Sequence, residues 1–115
     1  MRWEELAQQP CSLSRTLSVI GNGWTLLVLR DCFLGVRRFD GFEKRLGVTR
    51  HLLADRLKKL VEHEVLQKVP YQQRPLREEY RLTDKGLALH PVIMSLVSWG
   101  DTYIADERGA PIEHT

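Results

Sequence analysis

The apolar residues of this chain follow two different spacings, which divide it into helical and extended parts. In segments 13–20 and 53–60 they recur every three or four residues, the spacing of one helix face. Segment 24–33 is apolar on nearly every side and predicts a buried central helix. Segment 66–82 shows strand-like alternation, and helical spacing returns over 92–104. The pattern predicts a mainly α fold with a small β-hairpin, in the α+β class.

Segment 39–63 contains two short helical patterns that are joined by a tight break at residues 46–49. Asp40, followed three residues later by Glu43, forms a capping-box pattern that is expected to open the first helix. The second helix carries an apolar stripe that has to be buried, formed by Leu53, Leu57 and Leu60. Two helices joined in this way indicate a helix-turn-helix.

The face of the second helix opposite its leucines carries side chains that can hydrogen-bond to base edges or phosphates. We expect Thr49 and Arg50 at the helix start to bind phosphate, Lys58 to favour guanine and Asp55 to favour cytosine. The candidate residues for DNA contact on this helix are Thr49, Arg50, His51, Ala54, Asp55, Lys58 and Lys59. The alternative is a charged, solvated face on a core helix.

Two strands are expected at 66–71 and 79–82, with the polar linker 72–77 between them. Arg74 and Arg77 give this linker a basic tip, where a guanidinium can enter the narrow minor groove. The hairpin then corresponds to the wing of a winged helix. An exposed hairpin that is basic by chance is the alternative.

The apolar stripe near the C-terminus is wider than the core of one small domain requires. We therefore expect part of it to pack on a partner chain. The candidate dimerisation residues are Leu13, Leu17, Val92, Leu96, Trp99 and Tyr103.

At 115 residues the chain is long enough for one core, so residues 1–115 are expected to form a single domain. Its expected parts are an N-terminal arm (1–10), the helix-turn-helix (39–63), the wing (66–82), C-terminal helices (83–105) and a loose tail (106–115).

Positive charge is concentrated in the middle of the chain. Residues 37–85 contain 13 Lys and Arg against 8 Asp and Glu, whereas the remainder contains 4 against 7. This asymmetry indicates a polyanionic partner, in agreement with double-stranded DNA, although a solvated surface also accommodates it.

The cysteines and histidines indicate neither a disulfide framework nor a metal site, and we expect no cofactor and no enzymatic activity. Cys11 lies beside the start of a helix, where the helix dipole lowers a thiol pKa, and is a candidate redox residue. A small packing residue is the alternative. Cys32 lies within an apolar helix and is expected to be inert.

No apolar run reaches the ~18 residues that a membrane span requires, and the N-terminus has no apolar signal region. A cytoplasmic protein without a membrane partner is therefore expected.

Three stretches carry a family resemblance: CSLSRTLSVIGNGWTLLVLRDCFLGVRRFDGF, LGVTRHLLADRLKKLVEHEVL and VPYQQRPLREEYRLTDKG, followed by a Trp-Gly-Asp turn at 99–101. In this order they resemble the HxlR-type winged-helix transcriptional regulators, a branch near the MarR type, over residues 11–104. The resemblance implies a homodimer held by N- and C-terminal helices, with each recognition helix in a major groove and each wing beside it. Some relatives sense oxidants through a cysteine near position 11.

The chain departs from the family pattern at two places that bear on its helices. Asn22 and Gly23 stand where relatives often have a charged pair, which is expected to loosen the start of the next helix. Glu64 stands where a glycine usually ends the recognition helix, so the usual left-handed cap is expected to be strained or replaced.

Together these features predict a sequence-specific DNA-binding transcriptional regulator that acts as a homodimer on a pseudo-palindromic operator. Repression is favoured over activation. A winged-helix protein interaction module without DNA binding is the alternative, and a thiol-based sensor is an additional layer on the regulator. A small-molecule inducer stays open, because no residue spacing specifies one.

Overall fold

The computed structural model describes residues 2–104. A 3-10 helix over Trp3–Gln8 is followed by helices α1 (Ser12–Ile20), α2 (Gly23–Phe33), α3 (Phe39–Leu46) and α4 (Arg50–Glu62), the antiparallel strands β1 (Leu66–Gln73) and β2 (Leu76–Leu82), and helices α5 (Asp84–Leu87) and α6 (His90–Tyr103). The predicted α+β winged-helix fold is confirmed. The expected tail at 106–115 and the last residue expected in the C-terminal helices, residue 105, lie outside the described residues.

The core lies around α2, which contacts α1, α3, α4 and α6. Leu29 of α2 and Phe42 of α3 are fully buried, and the predicted leucine stripe of α4 is buried against them. Burial of each such side chain contributes roughly 1.5–3 kcal/mol relative to leaving it exposed. The helix-turn-helix is therefore held by its apolar side, and its polar side is left on the surface.

The predicted capping box at the start of α3 is wrong. The helix begins at Phe39 with Arg38 as its N-cap residue, and no side-chain cap bond occurs there among the described residues. Asp40 lies inside the first turn, where a carboxylate still interacts favourably with the helix dipole. Glu43 turns instead towards the next helix, where its Oε1 accepts a hydrogen bond from Arg50 at 2.9 Å.

The end of α4 keeps its left-handed cap although the residue is not glycine. Glu64 has a φ of 61°. Its N–H donates to the carbonyl of Val61 at 3.0 Å, and the N–H of Val65 donates to the carbonyl of Leu60 at 2.9 Å. These two bonds form a Schellman ending, so the expected replacement of this ending did not occur and the expected strain is retained.

The hairpin has longer strands and a shorter turn than its sequence pattern suggests. β1 extends to Gln73 and β2 begins at Leu76, so that only Arg74 and Pro75 form the turn. Arg77, expected in the linker, lies within β2 opposite Gln72. The outer strand residues are exposed on both faces and therefore lack the alternation that identifies a half-buried strand.

A threonine and a proline lie at the starts of the two C-terminal helices. The Thr83 hydroxyl accepts the N–H of Gly86 at 3.1 Å and caps α5. Pro91 lies in the first turn of α6, where its missing N–H removes no helical hydrogen bond. Over residues 2–104, no helix combines the length and the apolar character needed to cross a bilayer.

Candidate nucleic-acid interface

The start of α4 is fixed by the turn that precedes it. Gly47 has a φ of 63°, a conformation that glycine adopts without a steric penalty. The Thr49 hydroxyl then accepts the N–H of Leu52 at 3.2 Å, which satisfies one of the free amides of the first turn. Arg50 and His51 are exposed, so the first turn of α4 lies on the protein surface.

The two faces of α4 differ completely in exposure. The leucine stripe is at most 1% exposed, whereas His51, Ala54 and Lys58 are exposed on the other side. Within residues 2–104 Lys58 has no ion-pair partner, so its ammonium group is available to a ligand. The structure brings these three candidates together on one surface, and their contact with bases stays a prediction.

Asp55 and Lys59 lie at the edge of this surface and are already engaged. Asp55 Oδ2 accepts a hydrogen bond from Arg56, and the Lys59 ammonium lies 3.5 Å from the same oxygen. Lys59 also lies 5.1 Å from the centre of the Trp3 ring. Among the described residues no hydrogen bond reaches the other carboxylate oxygen, Oδ1, and the contact between Asp55 and cytosine stays a prediction.

Arg50 is held loosely in a position that suits phosphate binding. Its guanidinium bonds to Glu43 and lies 4.7 Å from the centre of the Phe39 ring, yet its side chain is 67% exposed. An exposed ion pair of this kind contributes only about 0.2–1 kcal/mol, so a phosphate can replace the carboxylate at little cost.

The wing presents one arginine in its turn and another in the strand that follows. Arg74 lies in the turn itself and Arg77 in β2, and both are exposed. A third arginine, Arg38, stacks on Tyr71 of β1 with its guanidinium carbon 3.9 Å from the ring centre. This stacking joins the loop before α3 to the wing, so the basic residues of the two elements lie side by side.

A carboxylate in the middle of β2 is paired with an arginine of the same strand. Glu79 is 7% exposed and accepts two hydrogen bonds from Arg81, at 2.9 and 2.6 Å. These bonds, together with the charges of Arg81, Arg37 and Arg38, hold the pKa of Glu79 below its usual range. The backbone N–H of Tyr80 donates to the carbonyl of Arg37 at 2.7 Å, which joins β2 to the loop before α3.

A second buried carboxylate joins α2 to α3. Asp31 is fully buried, and its Oδ1 lies 3.1 Å from the Nε atoms of Arg30 and Arg45. Its Oδ2 has no hydrogen-bond partner in the described part of the chain. The sequence did not indicate this ion pair, because Asp31 appears there only as a break in an apolar helix.

The candidate dimerisation residues form exposed apolar surface in the single chain. Trp99 and Tyr103 are 59% and 73% exposed and pack on each other, with ring centres 5.5 Å apart. A groove of about 480 Å³ between α2 and α6 continues this surface. The exposed candidates are Leu13, Leu17, Val92, Leu96, Trp99 and Tyr103.

The two cysteines differ in environment. Cys11 is exposed and is the N-cap residue of α1. The nearby amides of Ser14 and Leu13 lower the pKa of its thiol, although neither makes a regular capping hydrogen bond to the sulfur. Burial, with a smaller contribution from Asp31, raises the pKa of Cys32 to about 12. Across residues 2–104, His, Cys, Asp and Glu form no group of three or more suited to a metal ion.

Comparison with known proteins agrees with this geometry. The model of the HxlR-like helix-turn-helix family matches residues 19–108, which is most of the chain. The chain belongs to the HxlR-like helix-turn-helix family.

An uncharacterised HTH-type transcriptional regulator of Mycobacterium tuberculosis strain H37Rv is 45% identical over 102 residues, which cover 89% of this chain and 65% of that protein. The chain thus spans slightly less than two thirds of the length of this relative. The crystal structure of PA1607, described as a transcription factor, has a TM-score of 0.81 and 42% identity and covers 95% of this chain and 74% of its own. The redox regulator HypR in its reduced form has a TM-score of 0.74 and 28% identity, with 80% and 92% covered.

In this HxlR-like chain, two residues that the sequence did not indicate as part of the interface contact helix α4. Asn22 caps α2 by accepting the N–H of Trp24 at 3.0 Å, so the expectation of a loosened helix start is wrong. Its Oδ1 also accepts a hydrogen bond from Arg56 of α4 at 3.2 Å. Trp3, expected only to belong to an N-terminal arm, lies over Arg56 and Lys59. An asparagine before an apolar helix is a recognisable cap signal, whereas no local pattern identifies Trp3.

Proposed function

We propose that the protein is a sequence-specific DNA-binding transcriptional regulator. The observation that carries this proposal is the surface of His51, Ala54 and Lys58 on α4, which a buried leucine stripe holds outward beside a basic hairpin. In a helix-turn-helix, the second helix enters the major groove and places such side chains against base edges. Membership of the HxlR-like family supports the same conclusion.

The exposed groups divide by chemistry into two roles. His51, Ala54, Lys58 and Oδ1 of Asp55 contact base edges and choose the sequence. Cationic and N-terminal groups bind phosphates and supply most of the salt-dependent affinity, and they are Thr49, Arg50, Lys59, Arg74 and Arg77.

We propose further that the protein acts as a homodimer on a pseudo-palindromic operator and represses by covering a promoter. The exposed apolar faces of α1 and α6 support the homodimer, because a monomer rarely leaves so many large apolar side chains in water. Two recognition helices related by a twofold axis require half-sites one helical turn apart or a multiple of it.

A selection experiment tests this function. The purified protein is mixed with fragments of the genome that encodes it, and the retained fragments are sequenced and measured by gel shift at several salt concentrations. We expect one enriched inverted repeat whose binding weakens steeply with salt. Lys58→Met should lose the preference for that repeat, whereas Lys85→Met serves as a matched control because Lys85 bonds the His63 carbonyl at the other end of α4. A protein that dimerises but enriches no sequence would be an interaction module instead.

We also propose a redox response at Cys11, favoured by its exposure and lowered thiol pKa. The thiolate attacks a peroxide oxygen, the O–O bond breaks, and a sulfenic acid and an alkoxide or hydroxide result. HypR, a structural neighbour, is itself a redox regulator. Peroxide should change operator binding by wild type and by Cys32→Ser but leave Cys11→Ser unchanged, and an equal response of all three proteins would exclude this role.

A further inference from the structure

The N-terminal 3-10 helix is tied to α1 and to the recognition helix through one side chain. The indole Nε1–H of Trp3 donates to the carbonyl of Leu17 at 2.6 Å. The face of the same ring lies 5.3 Å from the guanidinium carbon of Arg56 and 5.1 Å from the ammonium of Lys59. Both distances are within the range of a cation–π interaction, so one ring holds two cations of α4.

The same two cations share one carboxylate oxygen. Arg56 and Lys59 both reach Oδ2 of Asp55, and Arg56 is fixed further by Oδ1 of Asn22. The Arg56 side chain is only 15% exposed. Trp3 and Asn22, from two different elements of the fold, therefore contact cations that bind Oδ2 of Asp55: Trp3 contacts both, and Asn22 contacts Arg56.

We propose that Trp3 is a positioning residue for DNA recognition, which acts through Arg56 and Lys59 to hold the Asp55 carboxylate in one orientation towards the DNA. This inference rests on the proposed function. Oδ2 of Asp55 is engaged by the two cations, and Oδ1 is left to accept a hydrogen bond from a base. Without the ring, Lys59 regains its rotamers and Asp55 loses its fixed orientation.

The substitutions Trp3→Leu and Trp3→Phe separate the ring from the rest of the contact. Leucine keeps apolar volume and cannot bind a cation, whereas phenylalanine keeps a π face and loses only the bond to Leu17. We expect Trp3→Leu to lower the ratio of operator affinity to shuffled-duplex affinity about two- to fivefold, the effect of one exposed cation–π contact. Trp3→Phe should restore most of that ratio, a rescue that a merely structural role would not give.

A double-mutant cycle tests the route through Asp55. In an Asp55→Asn background, Trp3→Leu should change the affinity ratio by less than about twofold, because the fixed carboxylate is already gone. In a Lys85→Met background the full effect of Trp3→Leu should remain, since Lys85 bonds the His63 carbonyl and does not contact the ring. Equal effects of Trp3→Leu in the two backgrounds would overturn the inference.

A measurement on the free protein guards against misfolded variants. In heteronuclear NMR spectra the Trp3 Nε1–H resonance should shift in Lys59→Met and stay in place in Lys58→Met, with Trp3 itself unchanged in both. An unchanged resonance in Lys59→Met would show that the contact does not exist in solution and would overturn the inference.

The DNA used is the inverted repeat recovered by the selection experiment, with a shuffled duplex of the same composition. If wild type selects no repeat, the proposed function is wrong and the inference falls with it. If wild type selects a repeat and Trp3→Leu binds it with an unchanged affinity ratio, the proposed function stands and only the inference is overturned.

Discussion

Val65 donates its backbone N–H to the carbonyl of Leu60 at 2.9 Å, and this bond closes the recognition helix around a left-handed glutamate. Val65 and Leu60 are each 1% exposed. Because the helix end is buried on this side, the chain has to reverse here whatever residue occupies position 64. Glu64 is therefore held in the left-handed conformation by the packing and hydrogen bonding of Leu60 and Val65.

Glu64→Gly should stabilise the protein by about 1 kcal/mol, since glycine adopts this φ without the steric penalty of a Cβ. For a domain of this size that gain corresponds to a rise in Tm of roughly 4 °C. Thermal unfolding followed by circular dichroism measures it. Glu64→Ala is the control: it removes the same carboxylate but keeps the Cβ, and a similar stabilisation by alanine would contradict the strain argument.

Asn22→Ala should destabilise the protein by about 1 kcal/mol or more, because it removes the cap of α2 and the acceptor of the Arg56 hydrogen bond. Gly23→Ala, one residue later, is expected to be neutral or to stabilise by about 0.4–1 kcal/mol, since no atom lies within 4 Å of the added Cβ. Urea denaturation of the two variants compares them, and a cap role for Asn22 is contradicted if both unfold at the same urea concentration.

Leu96→Asp should convert the expected homodimer to a monomer, because it places a charge in the apolar face of α6. Leu87→Asp on α5 is a matched control, since both leucines are 52% exposed in the single chain. Light scattering coupled to size exclusion gives the mass of each variant. A dimer that survives Leu96→Asp, or that is lost equally with Leu87→Asp, would argue against α6 as the interface.

Arg74→Ala should weaken binding to DNA of any sequence, because the variant neutralises fewer phosphates. The slope of log affinity against log salt should fall by about 0.9 for each phosphate that the guanidinium no longer neutralises. Salt titrations of a labelled duplex provide both numbers. Lys85→Ala should leave the slope unchanged. If Arg74→Ala binds as wild type does at every salt concentration, the turn of the wing does not touch the phosphate backbone.

The two cysteines should be alkylated at different rates. The lowered pKa of the Cys11 thiol keeps a larger fraction as thiolate near neutral pH, so its rate should level off at a lower pH than that of a free cysteine. Cys32, with a pKa of about 12, should stay unreactive in the folded protein until strongly alkaline pH. Mass spectrometry after timed iodoacetamide treatment of Cys11→Ser and Cys32→Ser reports each rate. Equal rates at neutral pH would contradict the assigned environments.

The raised pKa of Cys32 also has a consequence for folding. A group that is harder to deprotonate in the folded state stabilises that state below its unfolded pKa, and the stabilisation is lost as pH rises towards 12. Above about pH 9 the free energy of unfolding should therefore fall more steeply with pH for wild type than for Cys32→Ser. Both proteins are compared by urea denaturation across this range.

The helix-turn-helix could be predicted because its signals are local. The spacing of Leu53, Leu57 and Leu60 and the glycine at 47 fix the helices and the turn through neighbouring residues alone. The two capping errors have a different cause. Asp40 and Asn22 are both good cap residues, but only Asn22 lies at a helix end. Helix α3 begins at Phe39, one residue before Asp40, and Phe39 and Phe42 both pack into the core from its first turn.

In the hairpin, the alternation of apolar and polar residues does not predict the full length of the strands. Arg77 and Gln72 pair within the sheet although the exposed end of the hairpin has no apolar face to reveal a strand. Hydrogen bonding between the two strands, rather than burial, extends it beyond the expected strand ends, and a single-residue pattern does not record that pairing.

The sequence by itself determined the family, the α+β fold, the buried side of α4 and the set of residues on its outer side, because these follow from spacings of two to four residues. The pairing of Asp55 with Lys59 is also local, because the two residues lie four positions apart on one helix. Only the tertiary structure placed the Trp3 ring over Arg56 and Lys59 and brought Asn22 to Arg56. Trp3 lies more than 50 positions from Lys59 in the chain, and an ion pair or a cation–π contact over that separation exists only after the core has brought the two segments together.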